Sequence, residues 1–295
     1  MHVCYSSADH EPVVKFFVDA FGMQLKMTST VQWGDGAVLG FDRQTHTGAA
    51  FVYDARGPRT SPALEIQTWI DPALEGVPPT DPTAAGIHGI GVTVPDLEAT
   101  LVTVLNMGCT LVGRGSVDGI GEWATVRDPR GVTIDIVKGE PANGNPSQLR
   151  HLRISVTDLD EALPWFDGVG FDPVATTSIT DGSLFGIEGE VDAEVVRMRL
   201  PDEPFEIVLI EWRTPATHGR HTEIANSAGL FRAALGVDDT PAAYDALREA
   251  GWEFLRAPMT VPLIGTPVPD LVICFLNNPD GVPFEFVQRP RSAFR

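Results

Sequence analysis

Four stretches of the chain repeat one pattern of apolar and polar positions. Each begins with a short apolar run that ends in Asp, continues with helical spacing, and stops at a Gly before a new apolar run. The four opening runs span residues 2–9, 89–96, 151–158 and 232–239. The repeat predicts four copies of one module that begins with a strand and a helix.

Both ends of the predicted helix are marked in every copy. The step from Asp to Gly is 13 residues from Asp9 to Gly22 and 12 residues in the other three copies. An Asp before a helix accepts a hydrogen bond from a free backbone N–H group, and Gly suits the left-handed position after the last turn. The sequence therefore predicts an Asp-capped, amphipathic helix after each first strand.

Short strand-like runs follow each helix, and they divide the copies into two kinds. The second and fourth copies close on a hairpin that contains Pro and Gly, whereas the first and third end in Trp69 and Trp212. Trp212 follows Trp69 by 143 residues, and Arg232 follows Gly89 by the same step. This alternation indicates a duplicated pair of modules, not four equivalent copies.

The duplication predicts two domains. The first is expected at residues 1–140 and the second at 149–295, with the boundary in the Gly- and Pro-containing linker 139–148. At 295 residues the chain is long enough for two domains that each bury a core.

Composition excludes several classes of protein. No apolar run reaches the roughly 18 residues of a membrane span, and the N-terminus lacks the pattern of a signal peptide. Cys4, Cys109 and Cys274 are too widely spaced for a disulfide framework, which favours a cytoplasmic location. The formal net charge of −19 argues against nucleic acid as a partner and would attract a cationic ligand.

The repeated modules, with a polar residue opening the first strand and a carboxylate on the last, resemble the vicinal oxygen chelate superfamily. That family includes glyoxalase I, extradiol dioxygenases and bleomycin-resistance proteins. The resemblance implies an α+β fold of four βαβββ modules, which form two paired-module domains, each with a curled mixed-sheet cup for a small molecule. It also implies that ligands of a metal ion come from the first and last strands of the paired modules.

The repeat assigns residues of this chain to those positions. The first cup would have His2 and Glu65 from module one, with Gly89 and Asp135 from module two. We therefore expect any divalent ion (Fe, Mn, Ni or Zn) at His2, Glu65 and Asp135, and no nucleotide cofactor.

The second cup would have His151 and Val208 from module three, with Arg232 and Glu285 from module four. Because Arg232 would repel a divalent ion, we expect no metal here and an ion pair between Arg232 and Glu285. Trp69 and Trp212 either stack on a planar ligand or cover the core.

Two functions remain open on this basis. The first is an enzyme of the lyase, isomerase or oxygenase type that acts on a small oxygenated metabolite, with Glu65 or Glu285 as the base. The second is a metal-free protein that binds and sequesters a small molecule, as bleomycin-resistance proteins do. The substrate, the reaction and the oligomeric state are not specified by the sequence.

Overall fold

The computed structural model describes residues 1–222, 224–268 and 270–288. Module one contains β1 (His2–Ser7), α1 (Glu11–Phe21), β2 (Gln24–Thr28), β3 (Gln32–Asp35), β4 (Gln44–Tyr53) and β5 (Ala63–Asp71). Module two contains β6 (Gly86–Val94), α2 (Leu97–Asn106), β7 (Thr110–Val117), β8 (Gly121–Arg127) and β9 (Thr133–Lys138).

The third and fourth modules repeat this order. Module three contains β10 (Gln148–Ser155), α3 (Leu159–Gly168), β11 (Asp172–Asp181), β12 (Glu190–Arg199) and β13 (Glu206–Thr214). Module four contains β14 (Gly229–Val237), α4 (Thr240–Glu249), β15 (Met259–Pro262), β16 (Asp270–Asn277) and β17 (Pro283–Gln288). The prediction of four modules is confirmed, and module one has β3 as an additional short strand.

The predicted Gly follows each of the four helices, whereas the predicted Asp cap is confirmed for three of them and is wrong for α1. The side chains of Asp96, Asp158 and Asp239 accept hydrogen bonds from backbone N–H groups in the first turns of α2, α3 and α4. The N-cap of α1 is His10, and Asp9 accepts from the N–H of Glu11 instead. The Gly after each helix has a positive φ, which a residue with a Cβ adopts only with strain.

Two curled sheets contain these strands. In the described residues the first sheet runs β15-β16-β17-β14-β1-β5-β4-β2, with β3 paired to β4. The second sheet runs β11-β12-β13-β10-β6-β9-β8-β7. The α+β class with two paired-module sheets is therefore confirmed.

The pairing of the modules is not the one that their order in the chain suggested. Strand β1 pairs with β14, so modules one and four share the first sheet, and β6 pairs with β10, so modules two and three share the second. The expectation that consecutive modules form a cup is wrong. All four first strands are apolar enough to lie in the centre of a sheet. Their local pattern therefore does not specify which first strand pairs with which. The domain boundary at residues 139–148, where the duplicated unit of sequence ends, remains a prediction.

The main core lies on the helical side of both sheets. One continuous cluster contains Val3, Ile90, Leu152 and Ala233, which come from the first strands of all four modules, together with residues from the four helices. Because side chains alternate along a strand, the neighbours of these residues point to the opposite, concave faces. No helix in the described part of the chain is long and apolar enough to cross a membrane.

Candidate functional site

A cavity of about 130 Å³ opens on the concave face of the sheet of modules one and four. We call this concave face the open cup. Most of its wall is apolar, and the cavity is lined by Met27, Val38, Leu39, Phe51, Val261 and Leu271 among others. Its polar end is formed by His2, Glu65, Gln67, Arg232 and Glu285.

Sheet register explains why these polar side chains meet. Cys4 of β1 lies opposite Glu65 of β5 on one side and Arg232 of β14 on the other. Ala234, two residues beyond Arg232, lies opposite both His2 and Glu285. The four polar residues thus occupy two adjacent rows of the sheet, and they point into the same cup.

Two carboxylates and an imidazole converge in this cup. The Nε2 atom of His2 lies 3.0 Å from Oε2 of Glu65 and 3.6 Å from Oε2 of Glu285. One ligand-type atom from each of the three residues lies within 4.8 Å of those of the other two. All three residues are buried.

Arg232 binds the same two carboxylates. Its Nε donates to Oε2 of Glu285 at 2.7 Å, and one terminal nitrogen donates to Oε2 of Glu65 at 3.0 Å. The other terminal nitrogen donates to Oε1 of Gln67 at 3.2 Å. The predicted ion pair between Arg232 and Glu285 is confirmed, and Glu65 is a second partner that the sequence did not indicate.

The charges stabilise one another in spite of burial. Burial alone would raise the pKa of Glu65 and of Glu285, but Arg232 and His2 outweigh burial and lower both values. Burial alone would lower the pKa of Arg232, but Cys4, Glu65 and Glu285 raise it. The two carboxylates are therefore ionised, and the guanidinium is charged, across the physiological pH range.

The comparisons with known proteins agree with this architecture. Two profiles described as the Glyoxalase/Bleomycin resistance protein/Dioxygenase superfamily match residues 1–126 and 148–286. The chain belongs to this superfamily. No curated protein sequence gives a significant match to it.

Solved structures of superfamily type superpose on nearly the whole chain. Glyoxalase I from Zea mays matches with a TM-score of 0.67 and 18% identity, covering 97% of this chain and 91% of that chain. A putative dioxygenase from Bacillus subtilis matches with a TM-score of 0.61 and 14% identity, covering 98% of this chain and 84% of that chain. At such low identity the likeness shows the fold alone.

One of the three metal ligands that we expected from the sequence, Asp135, is not in the open cup. Asp135 lies on β9 in the other sheet, whereas His2 and Glu65 lie in the open cup. Glu285 takes its place as the third ligand-type residue. A set of one imidazole and two carboxylates is chemically suited to a divalent transition metal ion. As the side chains stand, however, they do not fit such an ion, because the guanidinium of Arg232 binds the ligand oxygens.

The sheet of modules two and three has a concave face that is filled by side chains, and we call it the filled cup. Trp123, Phe185 and Trp212 belong to the cluster that fills it, and Val208 is part of the same cluster. A Cβ added to Gly91 would meet the ring of His151 at 2.3 Å, so the backbone and this ring are in close contact.

A polar group lies beneath these aromatic side chains. Nε of Arg153 donates to Oδ2 of Asp135 at 2.8 Å, and Nε2 of His151 lies 3.2 Å from the same oxygen. Burial alone would raise the pKa of Asp135, but Arg153 and His151 lower it to about 2. Burial lowers the pKa of His151 although Asp135 opposes this effect. His151 is therefore an internal hydrogen-bonding residue beneath the packed ring of Trp123, whose centre lies 5.2 Å from its own.

The two tryptophans do not line the cavity of the open cup. Trp69 and Trp212 are 2% and 1% exposed. The indole nitrogen of Trp69 donates to Oγ of Ser6 at 3.3 Å, and that of Trp212 donates to Oγ of Ser155 at 3.2 Å. This geometry favours packing over stacking on a ligand for both side chains: Trp69 packs in a cluster with Ala225 and Phe231, and Trp212 packs in the filled cup.

Sequence reasoning missed two polar residues, Gln67 and Arg153. Each follows an assigned residue by two positions on the same strand, Gln67 after Glu65 and Arg153 after His151. Side chains two apart on a strand point to the same face, so this spacing was the signal that could have identified both.

Proposed function

We propose that the chain is an enzyme of the lyase or isomerase type that acts on a small oxygenated metabolite in the open cup. The observation that carries the proposal is the position of an ionised Glu65 at the polar end of an otherwise apolar cavity, beside His2 and Arg232. Apolar walls suit a substrate with hydrocarbon groups, and the polar end suits its oxygens.

Glu65 is the residue we favour as the base. Its side chain is 8% exposed, compared with 2% for Glu285, so it is the more accessible carboxylate. A carboxylate within hydrogen-bond reach of a substrate can remove a proton from the carbon next to a carbonyl group. Glu285 would then hold Arg232 in place through the bond to Nε, although it remains the second candidate base.

Arg232 and His2 would stabilise the product of this step. Removal of a proton next to a carbonyl places negative charge on the carbonyl oxygen, and fixed donors at that position lower the barrier. A guanidinium has five N–H groups, and the three contacts with Glu285, Glu65 and Gln67 use three of them. Donors therefore remain for a substrate oxygen.

A sequestering protein is the weaker alternative. Burial of two carboxylates and a guanidinium costs solvation free energy that must be offset by their mutual contacts. An apolar pocket with a few uncharged hydrogen-bonding groups would hold a small molecule without that cost. The cluster is better explained by chemistry that needs charge.

The test is hydrogen exchange in heavy water. The probes are acetoin and its phenyl analogue, which are both neutral and have oxygens on adjacent carbons. Each would be incubated with the protein, and NMR would follow the loss of the proton signal at the carbon next to the carbonyl. We expect exchange above the spontaneous rate, lowered at least about 100-fold by Glu65→Gln. The control is Glu122→Gln, an exposed carboxylate outside both cups. Exchange that is no faster than the spontaneous rate, or that survives Glu65→Gln, would contradict the proposal.

A further inference from the structure

The position of Arg232 in the module is the same as that of His2. Each is the inward-facing polar residue near the start of a first strand, and the two strands pair antiparallel in the centre of the sheet. The last strands add Glu65 and Glu285 at matching positions. Each carboxylate lies opposite the residue two places after its own module's His2 or Arg232. The open cup is thus built from two equivalent pairs of side chains, in which an arginine replaces one imidazole.

We propose that the guanidinium of Arg232 is the resident cation of this cup and takes the place of a divalent metal ion. The proposal uses the site of the proposed function but concerns ion binding, which does not depend on turnover. It predicts that the protein works without a metal at His2, Glu65 and Glu285.

The guanidinium of Arg232 and a metal ion would compete for the same oxygen atoms. Oε2 of Glu65 and Oε2 of Glu285 are the oxygens nearest to Nε2 of His2, so they are the oxygens that would hold an ion together with it. Both accept hydrogen bonds from Arg232, at 3.0 and 2.7 Å. An ion could bind these oxygens only if the guanidinium left them.

The charge of Arg232 also disfavours a metal ion in the open cup. Two carboxylates carry two negative charges, and Arg232 already supplies one positive charge that stays at any physiological pH. A divalent ion would bring the positive charges to three in a cup where all these side chains are buried and poorly screened. The guanidinium thus disfavours a metal ion by repulsion as well as by occupation.

The guanidinium of Arg232 is held in place by its neighbours. Its carbon lies 5.8 Å from the ring centre of Phe231 and 5.7 Å from that of Phe275. Gln67 accepts from the nitrogen that neither carboxylate uses. Contacts on several sides fix the guanidinium over the carboxylates, which is the condition for a side chain to act as a permanent charge.

The filled cup also contains an arginine bound to a last-strand carboxylate, but this arginine lies at a different position of its module. Arg153 lies two residues after His151 on β10, and its guanidinium binds Asp135 on the last strand of module two. The two arginines occupy different positions of the module, yet each binds a last-strand carboxylate. Neutralisation of last-strand carboxylates by arginine is therefore a property of both cups.

The test measures Co²⁺ binding to the full chain by calorimetry and visible absorption, without any substrate. We expect wild-type protein to bind Co²⁺ no more tightly than its Glu65→Gln variant. Arg232→His removes the resident charge and supplies a second imidazole, so it should bind one equivalent at least about tenfold more tightly than wild type. Adding Glu65→Gln to Arg232→His should abolish this gain.

A second variant covers the case in which Arg232→His does not fold. Arg232→Gln retains hydrogen-bonding capacity without the charge, and it should also bind Co²⁺ more tightly than wild type. The proposal is overturned if wild-type protein binds one equivalent of Co²⁺ that Glu65→Gln abolishes, or if the folded Arg232 variants gain no affinity. None of these results depends on the exchange of acetoin protons, so failure here is distinguishable from failure of the proposed function.

Discussion

The open cup and the filled cup have the same strand order but differ in what occupies the concave face. In the open cup a cavity of about 130 Å³ ends at Glu65, Arg232 and Glu285. In the filled cup the same space contains Trp123 and Phe185, packed with their ring centres 5.5 Å apart. Topology therefore fixes where a pocket can form, and the side chains on one face of the sheet decide whether it does.

One short turn contributes to this difference. Ser183–Phe185 lies between β11 and β12 and directs Phe185 against Trp123, Trp212 and the guanidinium of Arg153. The equivalent turn of module one, Gly36–Leu39, lies between β3 and β4 and remains at the edge of the cavity. One turn thus closes one cup, while its counterpart lines the mouth of the other.

The largest effect is expected from removal of the buried cation of the filled cup. Arg153→Leu would leave Asp135 buried beside a single imidazole, which should cost about 4 kcal/mol of the free energy of unfolding. Denaturant unfolding measures the loss. The matched control is Arg213→Leu, whose exposed pairs with Glu194 and Glu211 should contribute no more than about 1 kcal/mol. Equal losses for the two variants would show that the buried group of the filled cup is not structural.

Phe185→Ala should open the filled cup and cost about 3 kcal/mol, because it removes a fully packed ring and leaves a void. The same change at Leu39, in the equivalent turn of the open cup, should cost about 1 kcal/mol because that side chain is only partly buried. The Phe185→Ala protein should also gain binding of a small apolar probe such as benzene, measured by calorimetry. A loss no larger than that of Leu39→Ala would mean that the turn does not close the cup.

The elements of this fold were predictable because their signals are local. Periodic apolar residues, Asp at the helix starts and Gly at the helix ends specify each module without reference to any other. The partner of β1 was not predictable in this way. Pairing of β1 with β14 instead of β6 joins residues far apart in the chain, and the core behind both sheets draws on all four modules, so no single stretch of sequence specifies it.

The candidate site illustrates the same limit. Repeat positions identified His2, Glu65, Arg232 and Glu285 one by one, and the structure brings all four together. The order of the modules along the chain divides these residues between two cups and places Asp135 with His2 and Glu65, because it predicts that consecutive modules pair. In the structure they do not. The sequence shows the chemistry of each residue. Which residues lie next to it in space depends on contacts between segments far apart in the chain.

Acid should destabilise the protein in part through the filled cup. The pKa of Asp135 is about 2 in the folded protein, below the value of about 3.9 that is usual in an unfolded chain. Its stabilising contribution is therefore complete above about pH 4 and is lost as the pH falls through 2, with a magnitude of roughly 2 to 3 kcal/mol. Asp135→Asn should flatten the decline of unfolding free energy over this window, measured by denaturant titration at each pH. An unchanged slope would show that other carboxylates account for the acid sensitivity.

The smallest effect is expected where the two cups are alike. Oγ of Ser6 donates to the carbonyl of Ala225, and Oγ of Ser155 donates to that of Pro82, each at 2.7 Å. Both hydroxyls also accept from a buried indole N–H, so Ser6→Ala and Ser155→Ala should each cost about 1 kcal/mol. Because the surroundings match, the two losses in unfolding free energy should agree within about 0.5 kcal/mol, close to the resolution of paired denaturant curves. A loss at Ser155 that is clearly larger would indicate that filling the cup has also tightened its wall, so that the two sheets differ beyond the side chains that occupy their concave faces.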